Sequence, residues 1–242
     1  MNNKNKSALV TGAARRIGKG IALFLAEKGY NIALHYGSSD NDAQKTAAAI
    51  RETGVMCETF KCDLYNEDET LSLLPRVAQT FPNFTLLVNN ASIFKKAAIA
   101  DTDPDNFNRH IAINLKAPFF LTRDFARICK TGHVINILDS RITHGSAKRN
   151  DYAVYTLSKK ALAELTGMSA VEFAPDIRVN AIAPGLIFPP AGKSDDFLDK
   201  KAQNTPLKRK GAVADIVKAV QYLLENEFIT GQILYVDGGE HL

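Results

Sequence analysis

Short apolar runs alternate along the chain with longer stretches in which apolar residues recur every three or four positions. The run Ser7-Ala8-Leu9-Val10-Thr11 is stopped by Gly12 and reads as a buried strand. Ile17, Ile21, Phe24 and Leu25 follow at helical spacing, and Gly29 ends that helix. The exchange then repeats. Strands are predicted over 31–36, 55–60, 85–89, 133–138, 177–183 and 232–236. Helices are predicted over 43–53, stopped by Gly54, and over 67–81, 105–130, 152–174 and 212–224. The long helix 105–130 is expected to bend at Pro118, and helix 152–174 to place Leu162, Leu165 and Met168 on one side. Near-continuous apolar strands between helices predict a parallel sheet covered on both faces. With right-handed crossovers this is an α/β, Rossmann-type doubly wound fold of about seven strands. Residues 189–205 fit neither period. They are charged, contain Pro189, Pro190 and Gly192, and read as a lid within about 186–208.

Composition narrows the setting. A chain of 242 residues suits a single domain, here taken as 1–242. The net charge of +4 is mild, and the densest basic run, Lys208-Arg209-Lys210, reads as a solvated loop rather than a nucleic-acid site. Three cysteines, Cys57, Cys62 and Cys129, form no Cys-x-x-Cys pair, and their odd count argues against a disulfide framework. The segment from Met1 to Lys6 is polar and unlike a signal peptide, and no apolar run reaches membrane length. A cytoplasmic, membrane-free protein is expected. His144 has no second ligand near it in sequence, reads as a surface residue, and no metal is expected.

Candidate chemistry begins at Thr11-Gly12-Ala13-Ala14-Arg15-Arg16-Ile17-Gly18. A glycine-bearing turn between a strand and a helix gathers backbone N–H groups and a helix N-terminus at one point, which favours a pyrophosphate. An NAD-binding chain places an acid at the end of the second strand; here His35-Tyr36-Gly37-Ser38-Ser39 stands there instead. Ser38, Ser39, Arg15 and Arg16 are suited to a 2′-phosphate, so NADPH is expected. Turn and N-cap chemistry is the other reading of the two serines. Further along, Tyr155 and Lys159 are four apart on a helix and share one face. An ammonium beside a phenol lowers the phenol pKa from about 10, making a tuned proton donor.

These pieces occur in one order with Asn89-Asn90-Ala91, Asn114, Arg178-Val179-Asn180, Pro184-Gly185 and Asp237-Gly238-Gly239. Together they resemble the short-chain dehydrogenase/reductase family over nearly the whole chain. The resemblance implies that Tyr155 donates a proton, that Lys159 holds the nicotinamide ribose, and that Asn114 anchors a water relaying protons to Lys159. It implies cofactor contacts at Gly12, Arg15, Arg16, Ile17, Gly18, Tyr36, Ser38, Ser39, Asp63, Leu64, Asn90, Ala91, Ser92, Tyr155, Lys159, Pro184, Gly185 and Leu186. It also implies a homotetramer built through the helices carrying Asn114 and Tyr155.

Two departures narrow the substrate. Arg16 stands where the family turn has a third glycine, and Ile142 stands where the family has a catalytic serine. Arg16, Asp139 and the stretch Asn90-Ala91-Ser92-Ile93-Phe94 resemble the pteridine reductases and bacterial dihydromonapterin reductases, as does the C-terminal Asp237-Gly238-Gly239-Glu240-His241-Leu242. In that likeness Asp139 is catalytic, Phe94 stacks on a flat heterocycle, and Arg16, Ser92, Phe94, Asp139 and Tyr155 meet the pterin. Duller readings stay open: Phe94 as packing, Asp139 as a turn residue. Ser140 is the candidate hydroxyl of an ordinary carbonyl reductase, for example one acting on 3-oxoacyl thioesters. A non-catalytic dinucleotide sensor is the reading from another class.

Overall fold

Runs rich in Val, Ile, Leu and Ala form strands that tolerate burial on both faces, and all seven expected strands are present in the computed structural model. They are β1 (Ser7–Val10), β2 (Asn31–Tyr36), β3 (Cys57–Lys61), β4 (Phe84–Asn89), β5 (Gly132–Ile137), β6 (Ile177–Pro184) and β7 (Ile233–Val236). The structure describes residues 6–143, 151–190, 192 and 194–242; the expectation for His144 lies outside them. The strands form one parallel sheet in the order β3-β2-β1-β4-β5-β6-β7.

Helices α1 (Arg16–Glu27), α2 (Asp40–Arg51) and α8 (Val213–Glu225) cover one face; α3 (Glu67–Thr80), α5 (Ala117–Ile128) and α6 (Ala153–Glu172) cover the other. The strand period of two divides the core between them. Ala8, Val10, Ile32 and Leu34 pack with Ile21, Leu25 and Val220, whereas Leu9, Ala33 and Leu87 pack with Leu73, Leu121 and Phe125. Among the described residues no helix is long and apolar enough to cross a membrane.

Four expectations need correction. The third strand starts two residues later than predicted, at Cys57. The long helix expected over 105–130 is interrupted ahead of Pro118: α4 (Pro104–Ile111) runs through a π turn at Ala112–Lys116 into α5. Pro118 has no N–H to return to the carbonyl four residues back, and the wider turn just ahead of it keeps the chain helical. The segment expected to be a lid is not irregular throughout, because α7 (Asp195–Ala202) forms inside it and buries Leu198 and Ala202. Met168 is 67% exposed, while Leu162 and Leu165 are buried. At about 100° per residue Met168 falls roughly 120° off the stripe that holds Leu162, Thr166 and Ser169.

Beneath the sheet, His133 on β5 is enclosed by Arg178 at 3.1 Å and Asn180 at 3.0 Å. Burial, with the Arg178 charge behind it, lowers its pKa to about 3. The unfolded chain protonates a histidine near pH 6.5, so this contribution is present above that value and is lost as pH falls toward the folded value. Stability measured by urea unfolding is therefore expected to fall below about pH 6.5 by up to ~1.4 kcal/mol per pH unit from His133 alone. His133→Gln should flatten that slope, which unfolding at two pH values would read directly.

Candidate active site

The sheet order reverses at β1 and β4, and loops leaving the C-terminal strand ends there enclose a crevice. It is a groove of about 600 Å³. The predicted cofactor residues Gly12, Arg15, Arg16, Ile17, Gly18, Tyr36, Ser38, Ser39, Asp63, Leu64, Asn90, Ala91, Ser92, Tyr155, Lys159, Pro184, Gly185 and Leu186 all line it. So do Phe94 and Asp139, whereas Asn114 is fully buried behind the wall.

At one end the glycine turn is held from below. Gly12 adopts a φ of +64°, and a side chain there would meet the Ala91 Cα at 3.0 Å. A Cβ on Gly18 would collide with the Gly12 carbonyl and lie 2.5 Å from the Asn90 amide. The Gly12 N–H donates to His35 Nδ1, and His35 Nε2–H donates to the Cys62 carbonyl, both at 3.0 Å. Because a backbone N–H only donates, His35 Nδ1 carries no proton and the ring is neutral. Burial lowers its pKa to about 4. Thr11 Oγ1 accepts from the N–H groups of Asn90 and Ala91, and the Asn90 side chain donates to the carbonyls of Thr11 and Gly12. No side chain caps α1, so its first amides meet the groove as an anion site.

Arg16, in place of the family glycine, keeps a glycine-like φ of +53°. That conformation costs a side-chain-bearing residue about 1–2 kcal/mol. It brings the guanidinium to 5.6 Å from the Phe188 ring, on the groove wall. Ser39 precedes α2 without capping it, so the N-cap reading of its hydroxyl is not realised. The nearby acid Asp40 is engaged by Tyr36 at 3.2 Å and Lys61 at 2.9 Å. Glycine clearances, an uncapped helix start and the volume of the groove suit a dinucleotide with its pyrophosphate at α1.

At the other end the Tyr155 hydroxyl donates to Asp139 Oδ2 at 2.7 Å. Burial, and after it the Asp139 charge and hydrogen bond, push the phenol pKa well above its usual value. This corrects the expected lowering by Lys159. The Lys159 Nζ donates instead to the Ile137 carbonyl at 2.8 Å, and its burial lowers the ammonium pKa to about 8. The Ser140 hydroxyl turns away to Glu240 Oε2 at 3.0 Å, and Ile142 packs against apolar neighbours. Asn114 sits within the π turn; it accepts from Ser92 Oγ and Ile93 N–H and donates to the Ile93 carbonyl and Ser158 Oγ. Phe94 stacks on Tyr152 at 4.2 Å and meets Tyr155 edge-on at 4.6 Å, with the Arg141 guanidinium 5.3 Å from its centre.

His35, Lys61, Arg141, Tyr152 and Glu240 escape sequence reasoning. His35 leaves a signal as a polar residue inside an apolar strand, and Glu240 one within the C-terminal Asp237–Leu242 stretch. Arg141 and Tyr152 lie close in sequence to Asp139 and Tyr155, but local spacing alone does not bring them to Phe94.

A family model described as Enoyl-(Acyl carrier protein) reductase matches residues 12–241. The chain is similar to a 3-oxoacyl-[acyl-carrier-protein] reductase of Staphylococcus epidermidis, 35% identical over 98% of this chain and 100% of that protein. Among solved structures it is similar to FolM alternative dihydrofolate reductase 1 of Brucella canis, complexed with NADP. The identity is 34% and the TM-score 0.91, over 100% of this chain and 96% of that one. A short-chain dehydrogenase of Burkholderia cenocepacia in complex with NADP has 27% identity and a TM-score of 0.91, over 99% of each chain.

His35→Ala removes the partner of both Gly12 N–H and the Cys62 carbonyl. It is expected to lower unfolding free energy by about 2–4 kcal/mol and to weaken dinucleotide binding about tenfold or more. Urea unfolding and cofactor fluorescence titration measure the two effects.

Proposed function

Because the chain belongs to the short-chain dehydrogenase/reductase family, we propose that it is an NADPH-dependent reductase of the C=N bond of a dihydropterin. Its cofactor is NADP(H): similar structures hold NADP or NADPH, and the end of β2 offers serines rather than an acid. Arg15 and Arg16 at the glycine turn, with Ser38 and Ser39 beyond β2, would meet the 2′-phosphate. The bound dinucleotide supplies the hydride that adds to the carbon of the C=N bond.

The observation that carries the pterin reading is the 2.7 Å bond from Tyr155 to Asp139, where a carbonyl reductase would present a serine hydroxyl. A phenol with a raised pKa keeps its proton throughout the neutral range. The phenol, donating to the carboxylate until substrate binds, holds that proton for the ring nitrogen next to the reduced carbon. Lys159, charged below about pH 8, offsets the negative charge left on the pair. Asn114 fixes Ser92 and Ile93 and so shapes the wall near Phe94, whose ring would stack on the heterocycle. The segment around α7, whose Phe197 and Leu198 line the groove, would act as the lid. Exposed Phe119 on α5 and Leu157, Met168 and Val171 on α6 support a homotetramer through these helices. Three buried free thiols fit a reducing, cytoplasmic setting.

The 35% identity to a 3-oxoacyl reductase favours the second reading, a carbonyl reductase of acyl thioesters. NADPH oxidation with 7,8-dihydropterin, with an acetoacetyl thioester, or with neither separates pterin reductase, carbonyl reductase and non-catalytic sensor. Tyr155→Phe is expected to lower kcat by about 10²–10⁴-fold with NADPH affinity unchanged. NADPH should bind more tightly than NADH by titration. Turnover should fall as pH rises through about 8, because Lys159 discharges there; a pH profile of kcat checks the sign.

A further inference from the structure

The last residues of the chain fold back into the active-site groove. Gly238 and Gly239 take φ values of +67° and +85°, which reverse the backbone just past β7. The Asp237 carboxylate then gathers the turn, accepting from Gly239 N–H at 3.0 Å, His241 N–H at 2.8 Å and the His241 ring at 2.8 Å. The His241 ring stacks on Tyr235 at 4.2 Å, and Thr143 Oγ1 donates to the His241 carbonyl. All this fixes one side chain, Glu240, on the groove wall. Its Oε2 accepts from Ser140 Oγ at 3.0 Å and lies 2.9 Å from where a Gly185 Cβ would stand. Asp139 and Tyr155 line the same groove, so the carboxylate faces the space they share.

A carboxylate has about four acceptor sites and no donor. Ser140 occupies one, and among the described residues Glu240 makes no ion pair. A carboxylate held in a ligand groove without a cation favours substrates that bring donors, and disfavours edges made only of acceptors. We propose that Glu240 is the residue that selects the substrate, accepting the neighbouring N–H donors of the aminopyrimidine edge of a pterin. The inference rests on the pterin reading above. An acyl thioester presents only carbonyl oxygens at its reacting end and gains nothing from Glu240.

The test uses the full-length enzyme and Glu240→Gln, which keeps the shape and replaces an acceptor by a donor. Pterin is titrated onto enzyme saturated with NADP⁺, NADPH is titrated alone, and 7,8-dihydropterin and acetoacetyl thioester turnover are measured. The expected result is a loss of pterin affinity and a rise in dihydropterin KM of about tenfold or more, with NADPH affinity within twofold of wild type. Glu240→Asp should recover part of the loss. Unchanged pterin affinity overturns the assignment. An equal loss of NADPH affinity overturns it too, assigning Glu240 to the cofactor. A wild type that reduces the thioester and neither binds nor reduces pterins overturns the pterin reading itself, and the Glu240 assignment falls for that separate reason.

Discussion

All seven strands point the same way, so every strand ends on one edge of the sheet, and the reversal of strand order at β1 and β4 opens that edge into a groove. The rest of the site depends on this constraint. Gly12 follows β1, Asn90 follows β4, Asp139 lies just past β5, and Gly185 follows β6. Residues far apart in sequence thus meet without any one segment being long. His35 makes the arrangement rigid, because a neutral imidazole ties the turn after β1 to the chain leaving β3 through two 3.0 Å bonds.

The electrostatics of the reacting end differ from those of an isolated Tyr–Lys pair on a helix. Burial and Asp139 strengthen the hold of Tyr155 on its proton, and burial weakens that of Lys159. The ammonium rests on the Ile137 carbonyl rather than on the phenol. A carboxylate accepting from a phenol at 2.7 Å makes a buried pair in which the phenol keeps the proton. Around it, Arg16, Arg141 and Glu240 give the groove a mixed charge.

The chain accepts local cost where the groove needs it. Arg16 holds a left-handed backbone that a glycine would adopt freely, and in exchange its guanidinium reaches Phe188 on the wall. The π turn around Asn114 gives up regular helical bonding so that one amide can hold Ser92, Ile93 and Ser158 together.

Strand and helix identity, the parallel sheet and the glycine turn were legible in the sequence because each rests on local spacing: two residues for a strand, between three and four for a helix, and a few glycines at a turn. Tyr155 and Lys159 were legible as a pair for the same reason. What each side chain touches was decided only by the tertiary structure. Whether Tyr155 meets Lys159 or Asp139, whether Ser140 faces the phenol or Glu240, and whether Met168 is inside or outside depend on where distant elements lie. Helical spacing brings residues to one face, but a hydrogen bond and the dielectric around it are set by what packs against that face, and in this fold those partners come from other elements: the end of β5 for Tyr155 and Lys159, the C-terminal turn for Ser140.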